Sequence, residues 1–290
     1  MSGFLDDMAR SSAARVAKAI RHESVEQLER RARAAAPAAR LRLSGSGFDV
    51  IAELKLRSPA AGPLGDASHD WLGRIAAYAR GGAAAVSVLT EPSRFDGTLD
   101  HLRQAAAALA PLGVPAMRKD FLVDPYQVLE ARAAGAGGVL VILRMLSRPQ
   151  IAQLLDVAAE HGMFVLLEAF DAADLQMASA LLAGRCAPRV GGGEAHGGGA
   201  AEGEPGILIG INSRDLQTLK VVPERFAALA PLLPAGWPAV AESGVATGSD
   251  AGRMQQLGYG LALIGTALMT QEDPSRLLGE IFHATRTVQA

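Results

Sequence analysis

The sequence is poor in cysteine, in aromatic residues and in net charge. It has 290 residues with a single cysteine, 4% aromatic residues and a formal net charge of −2. The one cysteine, Cys186, cannot form an intramolecular disulfide, and it excludes a zinc site built from several cysteines. The balanced charge, with no long basic run, argues against nucleic acid or an anionic membrane as a partner. A small anionic ligand remains compatible with it, because such a site needs only a few local charges.

Long uninterrupted apolar runs are also missing. The longest candidate, residues 226–241, is broken by three prolines, so no segment is predicted to span a membrane. The first residues include Asp6 and Asp7 and lack the apolar stretch of a secretion signal. We therefore expect a soluble, cytoplasmic protein.

Hydrophobic residues are plentiful, at 49%, and after Pro37 they fall into short runs separated by amphipathic stretches. Runs of this kind are typical of parallel strands that are buried on both faces. Eight strand–helix repeats favour a closed (β/α)8 TIM barrel over an open doubly wound sheet, in one domain covering residues 1–290. The predicted strands are Val50–Leu54, Ala85–Leu89, Val114–Met117, Gly138–Ile142, Phe164–Leu167, Leu208–Ile211, Ala239–Ala241 and Leu261–Ile264.

Two segments lie outside this repeat. Residues 1–45 are predicted to form an N-terminal helical extension of two helices, with Ser24 as the N-cap of the second. Residues 185–206 contain the run GGGEAHGGGAAEGEPG, which predicts a flexible loop on the face opposite the active site. A phosphate-binding loop is the alternative, but the run lacks the Gly-Lys-Ser/Thr ending of a P-loop.

Polar residues cluster where the predicted strands end, and in a barrel these ends meet at the mouth that holds the active site. Ser243-Gly244 and Gly265-Thr266 follow strands seven and eight, a frequent phosphate site of barrels, and Arg214 could add a charge-assisted bond. The alternative is that the two glycines only make tight left-handed turns.

Two lysines and two glutamates lie at the carboxyl ends of strands one, three and five, namely Glu53, Lys55, Lys119 and Glu168. One such pair could be a structural salt bridge. Four charged groups at one barrel mouth favour a mixed acid/base site, since burial and close neighbours tune such groups toward proton transfer.

Five strings of this sequence, in this order, resemble indole-3-glycerol-phosphate synthases over roughly residues 45–275. The strings are IAELKLRSP, SVLTEPSRFDGTL, MRKDFLVDPYQVLEARAAGAGGVLVIL, IGINSRDL and AESGV. The resemblance implies a carbon–carbon lyase (a carboxy-lyase) of tryptophan biosynthesis. It would convert 1-(2-carboxyphenylamino)-1-deoxyribulose 5-phosphate to indole-3-glycerol phosphate, with loss of carbon dioxide and water and with no metal or organic cofactor.

The resemblance also implies roles for individual residues. Lys119 would be the general acid of ring closure, Lys55 would pair with the substrate carboxylate, and Glu168, assisted by Glu53, would serve the dehydration. The expected substrate-binding residues are Ser58, Ser87, Phe95, Phe121, Asn212, Glu242 and Ser243. The expected phosphate-binding residues are Arg214, Gly244, Gly265 and Thr266.

Three positions depart from the family pattern: Phe170 stands where His is frequent, Ser213 where Asn is common, and Ala60 where a second Ser is common. They leave open a paralogue that acts on a related anthranilate-derived ribulose phosphate. A phosphoribosylanthranilate isomerase is disfavoured because it needs a Cys/Asp pair, and Cys186 lies beside the Gly-rich run. A non-catalytic barrel that binds a phosphorylated ligand is a further alternative. For the assembly, we expect a monomer or a weak homo-oligomer.

Overall fold

Eight parallel strands close into a barrel. The computed structural model describes residues 3–45, 47–58, 62–63, 70–183, 185 and 206–286. Each strand pairs with the next one along the chain, and the first also pairs with the last, which closes the sheet. The predicted α/β fold, a (β/α)8 TIM barrel with an N-terminal helical extension, is confirmed. The strands are β1 Asp49–Leu54, β2 Ala85–Leu89, β3 Ala116–Lys119, β4 Gly138–Ile142, β5 Phe164–Ala169, β6 Ile207–Asn212, β7 Ala239–Glu242 and β8 Leu261–Ile264.

The prediction for β3 was wrong by two residues, because the strand spans Ala116–Lys119 rather than Val114–Met117. Val114 still belongs to the turn that ends the preceding helix, where its N–H donates to the carbonyl of Leu109. The charged residues Arg118 and Lys119 belong to the strand, because partners on other elements satisfy their side chains. Three other strands extend past their predicted carboxyl ends and include Glu168, Asn212 and Glu242, whose side chains also have partners in the fold. The first strand begins one residue earlier than predicted, at Asp49.

Twelve α-helices are seen in the described residues, most of them packed around the barrel. They are α1 Phe4–Ile20, α2 Val25–Ala34, α3 Trp71–Arg80, α4 Pro92–Phe95, α5 Leu99–Leu109, α6 Pro125–Ala133, α7 Arg148–Glu160, α8 Ala172–Leu182, α9 Glu224–Leu229, α10 Gly248–Gln256, α11 Thr266–Met269 and α12 Pro274–Arg286. Short polar side chains such as Thr98 and Asp124 begin several of them by accepting a hydrogen bond from an N–H of the first turn. Several of the helices therefore begin at a side chain that caps their first turn.

Alternate residues of each strand face the barrel interior and the surrounding helices. In β1, Ile51 packs in the interior while Val50, Ala52 and Leu54 pack in the layer under the helices. The other strands alternate in the same way. A polar residue at the carboxyl end of a strand therefore faces the barrel axis when it occupies an interior position. This periodicity brings side chains from strands far apart in the sequence into one small space.

The N-terminal extension covers both ends of the barrel. Phe4 of α1 packs edge-on against Phe121, which follows β3, with ring centroids 5.7 Å apart. Ser24 caps α2 as predicted, since its hydroxyl accepts from the N–H of Gln27. The chain after α2 then passes under the barrel, where Ala39 lies against Gly137 just before β4. The extension is therefore packed against the barrel at both ends.

The predicted Gly-rich loop at 185–206 lies almost wholly outside the described residues, so its placement remains a prediction. On its two flanks, α8 ends at Leu182, and the carbonyl of Gly206 accepts from the N–H of Val165 at the amino end of β5. None of the helices in the described part of the chain is both long and apolar enough to cross a membrane.

Candidate active site

A cavity of about 420 Å³ lies at the carboxyl ends of the strands. One end of it follows β2, β3 and β4, and the other end follows β7 and β8, which lie across the barrel. The wall at the first end is aromatic and aliphatic, with Phe4, Phe95, Phe121, Leu140 and Ile142. The wall at the second end includes four small residues, namely Ser243, Gly244, Gly265 and Thr266, beside aliphatic side chains such as Val221 and Val245. The cavity thus suits a ligand with an apolar end and a polar end.

Lys119 lies between these two ends and contacts two carboxylates. Its Nζ donates to Oε2 of Glu168 at 3.3 Å and to Oε2 of Glu242 at 3.4 Å. All three side chains are largely buried, with exposed fractions of 17%, 3% and 1% in that order. Low exposure limits screening by water, so the charges of this cluster act strongly on each other.

The Glu168 carboxylate is oriented by Asn212, which lies on the neighbouring strand β6. The side-chain amide of Asn212 donates to Oε1 of Glu168 at 2.9 Å, and its own oxygen accepts from the backbone N–H of Arg214 at 2.9 Å. The backbone donor fixes which way the Asn212 amide faces. Glu168 is therefore held by two donors, one on each carboxylate oxygen.

The surroundings of the cluster raise the pKa of Lys119 and also the pKa of Glu242. Burial alone would lower the pKa of Lys119, but the neighbouring carboxylates, Glu168 first, outweigh burial and raise its pKa well above the usual range. Burial, reinforced by the charge of Glu168, raises the pKa of Glu242 to about 8. Both shifts favour the protonated form of the group.

Lys55 and Glu53 form a second pair at the end of β1, with Nζ and Oε1 3.1 Å apart. Burial would raise the pKa of Glu53, but the ammonium groups of Lys55 and Lys119 outweigh it and lower that pKa overall. Glu53 is thus an ionised carboxylate, in contrast to Glu242.

The residues on either side of Lys119 hold its strand in place. Arg118 faces the helix layer, where its guanidinium donates to Thr90 and to the carbonyl of Gln127. Asp120 receives two hydrogen bonds from Arg15 of α1, at 2.7 and 2.8 Å. Burial would raise the pKa of Asp120, yet Arg15 and Arg118 lower it far below the usual range. Lys119 therefore projects from a strand end that is fixed on both sides.

The second end of the cavity offers backbone N–H groups in an unusual conformation. Ser243 and Gly244 both have positive φ angles, 66° and 90°. The hydroxyl of Ser213, which replaces the common Asn, donates to the carbonyl of Ser243 at 2.8 Å and supports this turn. Gly265 has a φ of −111°, so the alternative of a left-handed turn applies to Gly244 and not to Gly265.

Nearly all the predicted site residues meet at this cavity, although their roles remain predictions. The wall contains Glu53, Lys55, Phe95, Lys119, Phe121, Glu168, Asn212, Arg214, Glu242, Ser243, Gly244, Gly265 and Thr266. Ser87 is fully buried in β2 and is not part of the wall. The side chain of Ser58, like Ala60, lies outside the described part of the structure. Phe170 is buried beneath the Arg144 guanidinium, 4.6 Å from its ring centre, and is also not part of the wall.

Sequence reasoning missed two residues of α1, Phe4 in the wall and Arg15 behind Asp120. Both lie on the face of α1 that also carries the buried Met8 and Ser12. The amphipathic pattern could have identified this face, but not what it covers. Among the described residues, no group of three or more His, Cys, Asp or Glu side chains is arranged to hold a metal ion.

The fold and this cavity define a (β/α)8-barrel enzyme with a cluster of buried lysines and glutamates at the carboxyl ends of its strands. The sequence profile described as indole-3-glycerol phosphate synthase matches residues 5–185 and 205–281, with a gap at 186–204 within the Gly-rich region. The chain belongs to the indole-3-glycerol phosphate synthase family.

Curated relatives agree with this assignment. The indole-3-glycerol phosphate synthase of Parafrankia sp. (strain EAN1pec) is 39% identical over 81% of this chain and 78% of its own length. That of Methanopyrus kandleri is 37% identical over 92% of this chain and 96% of its own length. Identity at this level over most of both chains supports the family assignment, and the family implies lyase chemistry in tryptophan biosynthesis.

Solved structures resemble the chain in fold alone. 3-Hexulose-6-phosphate synthase from Salmonella typhimurium superposes with a TM-score of 0.59 at 12% identity, covering 83% of this chain and 99% of its own. Thiamine phosphate pyrophosphorylase from Pyrococcus furiosus gives 0.55 at 13% identity, covering 85% and 99%. Barrel architecture is shared at these identities, whereas chemistry belongs to the site.

Proposed function

We propose that this chain catalyses the ring closure of 1-(2-carboxyphenylamino)-1-deoxyribulose 5-phosphate to indole-3-glycerol phosphate. The observation that carries this proposal is the position of Lys119, which contacts Glu168 and Glu242 between an aromatic end of one cavity and an end that contains Ser243, Gly244, Gly265 and Thr266. The substrate has the same layout, with an aryl ring at one end, a phosphate at the other and the reacting carbonyl between them.

The aryl ring would lie among the phenylalanines that follow β2 and β3, under Phe4 of α1. Phe95 and Phe121 have ring centroids 6.3 Å apart, and Phe121 also packs against Phe4. An anthranilate ring inserted there gains apolar and aromatic contacts. Lys55 would form an ion pair with the carboxylate of the ring and would keep its ion pair with Glu53.

In the first step, the ring carbon that bears the carboxylate attacks the ribulose carbonyl, and the oxygen of that carbonyl takes a proton. Lys119 would donate it, because its surroundings keep it charged and because it lies centrally in the cavity. The carbon–carbon bond forms, and the carbonyl becomes a hydroxyl. Loss of carbon dioxide then returns the electron pair of the carboxylate bond to the ring.

In the last step, the aniline nitrogen supplies the electron pair that expels the hydroxyl as water. Glu168 would exchange the protons of this dehydration, assisted by Glu53, and Asn212 would keep Glu168 in position. The nitrogen of the substrate provides the electron push, so the proposal involves no metal or organic cofactor. Ser243 would hold a substrate hydroxyl.

The phosphate would bind at the ends of β7 and β8 through the N–H groups of Gly244 and Gly265 and the hydroxyl of Thr266. Arg214 would add a charge, and its guanidinium is already held by the carbonyl of Leu219 at 2.7 Å. The departure at Ser213 supports this end of the cavity through Ser243, and it does not remove a group that the reaction needs. We also propose a cytoplasmic protein, monomeric or weakly self-associating, with no nucleic-acid or membrane partner.

The test is a fluorescence assay of indole formation with purified protein, in buffer that contains a chelator. We expect turnover in the wild type and none in Lys119→Met, which should still bind inorganic phosphate. Lys18→Met, at an exposed position of α1, is the matched control and should turn over normally. A folded wild type that binds the substrate without forming indole would overturn the proposal in favour of a paralogue with a related substrate. Near-normal turnover in Lys119→Met would overturn the role of Lys119.

A further inference from the structure

Three glycines on the inner side of the barrel each leave room for a large side chain from another strand. A β-carbon on Gly138 of β4 would lie 2.4 Å from the ring of Phe164, a contact that belongs to the apolar core. The other two glycines lie next to carboxylates of the active site. A β-carbon on Gly265 would lie 2.4 Å from Oε1 of Glu53, and one on Gly210 would lie 2.0 Å from Oε1 of Glu242.

Gly210 is the informative position of the three. It lies in β6, in register with Glu168 of β5 and Val240 of β7, and it does not belong to the cavity wall. Its backbone does not require glycine, because its φ is not in the positive range. The Glu242 carboxylate makes the closest approach, since the next side chain, Leu166, has its Cδ1 atom 3.0 Å from the same β-carbon position. The carboxylate is therefore the main structural reason for a glycine here.

The space beside Gly210 determines where the Glu242 carboxylate lies. Oε2 of Glu242 accepts from Lys119, while Oε1 is buried and has no hydrogen-bond partner in the described structure. Oε1 is the atom that a β-carbon on residue 210 would displace. Ordinary van der Waals contact starts at 3.4 Å, so the carboxylate would have to retreat by about 1.4 Å, close to one carbon–carbon bond of about 1.5 Å.

We propose that Gly210 is a positioning residue of the reaction: its missing side chain provides the space in which the Glu242 carboxylate contacts Lys119. Gly210 acts through Glu242 and touches neither the substrate nor Lys119. This inference rests on the proposed function only for its effect on turnover. The steric relation between Gly210 and Glu242 is independent of it.

The first test is a double-mutant cycle on turnover. We expect Gly210→Ala to lower kcat by about 100-fold, the loss expected for a displacement of about 1 Å, and to change KM by less than about threefold. In a Glu242→Ala background, the same substitution should change kcat by less than about twofold, because no carboxylate remains to be displaced. An equal loss of kcat in both backgrounds would overturn the proposal.

A shorter carboxylate gives a second test. Glu242→Asp shortens the side chain by one methylene. This shortening matches the space that the methyl group of Gly210→Ala would take up. We expect Glu242→Asp to lower kcat when residue 210 is glycine and to raise it when residue 210 is alanine. If Glu242→Asp lowers kcat in the Gly210→Ala background as well, the steric argument is contradicted. Gly260→Ala, whose β-carbon meets nothing within 4 Å, is the matched control and should leave kcat unchanged.

Urea unfolding midpoints separate this inference from the proposed function. They are measured on the four proteins of the double-mutant cycle: the wild type, Gly210→Ala, Glu242→Ala and the double variant. Gly210→Ala should lower the midpoint much more when Glu242 is present than in the Glu242→Ala background, where only the contact with Leu166 Cδ1 at 3.0 Å remains. If Gly210→Ala alone is insoluble and the double variant is folded, the proposal is supported in the same way. Equal effects in both backgrounds would overturn it. A wild type without turnover would overturn the proposed function and leave this coupling measurable.

Discussion

Replacing Glu242 by glutamine should change how the stability of the protein depends on pH. Burial and the charge of Glu168 raise the pKa of Glu242 from 4.5 to about 8 in the folded protein. Between these two values, the folded protein holds a proton at Glu242 that the unfolded chain has already released. The free energy of unfolding therefore falls as pH rises through this window, by about 1.4 kcal/mol for each pH unit.

Glutamine has nearly the shape of a protonated glutamate and does not titrate. Its side-chain oxygen can accept from Lys119 as Oε2 of Glu242 does. Glu242→Gln should therefore lack the contribution of this group to the pH dependence. The difference in unfolding free energy between variant and wild type should grow in favour of the variant by about 2 to 3 kcal/mol from pH 6 to pH 8.

The measurement is urea unfolding at pH 5, 6, 7 and 8 and constant ionic strength, followed by circular dichroism and by the fluorescence of the two tryptophans, Trp71 and Trp237. Coincident transitions from the two probes justify the free energies. Glu272→Gln, at an exposed position, is the control and should keep a constant difference from the wild type. A difference for Glu242→Gln that is the same at every pH would show that Glu242 is ionised in the folded protein, and the electrostatic reasoning would be refuted.

Three further predictions concern parts of the molecule around this cluster. Asn212→Ala removes the amide donor of Glu168 and should lower kcat by about tenfold to 100-fold with a smaller change in KM, measured by steady-state assay; an unchanged kcat would contradict a role in orienting Glu168. Arg15→Ala leaves the buried carboxylate of Asp120 without its main partner and should lower the free energy of unfolding by about 3 kcal/mol at pH 7, measured in urea, whereas a loss below 0.5 kcal/mol would show that the pair is not needed. Deleting residues 191–203 should leave kcat within about twofold, because the flanking Gly206 lies at the amino ends of the strands, away from the cavity; a folded deletion variant with little turnover would contradict that placement.

The barrel could be predicted from the sequence because its strands are short apolar runs at regular intervals. Buried parallel strands need no polar alternation, and the helices between them have their own periodicity. The errors fall where charged residues belong to a strand, as at Arg118 and Lys119, because composition alone places charged residues in loops. Their partners come from other elements, and no local pattern contains that information.

The site was predictable as a set of residues but not as a network of contacts. Position at the carboxyl end of a strand is a local property, and it identified Lys119 and Glu168. The contact of Arg15 with Asp120 joins residues 105 positions apart, and nothing near either residue indicates the other. The relation between Gly210 and Glu242 is likewise invisible in the sequence, since a glycine shows no sign of which side chain occupies its space.

The protonation of Glu242 also decides the charge that the cavity offers to a substrate. Asp120, which also lines the cavity, is balanced by its ion pair with Arg15. With Glu242 neutral, the carboxylates of Glu53 and Glu168 balance the ammonium groups of Lys55 and Lys119, and Arg214 remains as a net positive charge. A substrate that carries both a carboxylate and a phosphate needs that excess. Ionisation of Glu242 would cancel it and would place a further negative charge 3.4 Å from Lys119, which would hold the proton of the general acid more tightly. A third buried carboxylate is therefore compatible with binding and proton transfer only while it keeps its own proton, and burial beside Gly210 favours that state.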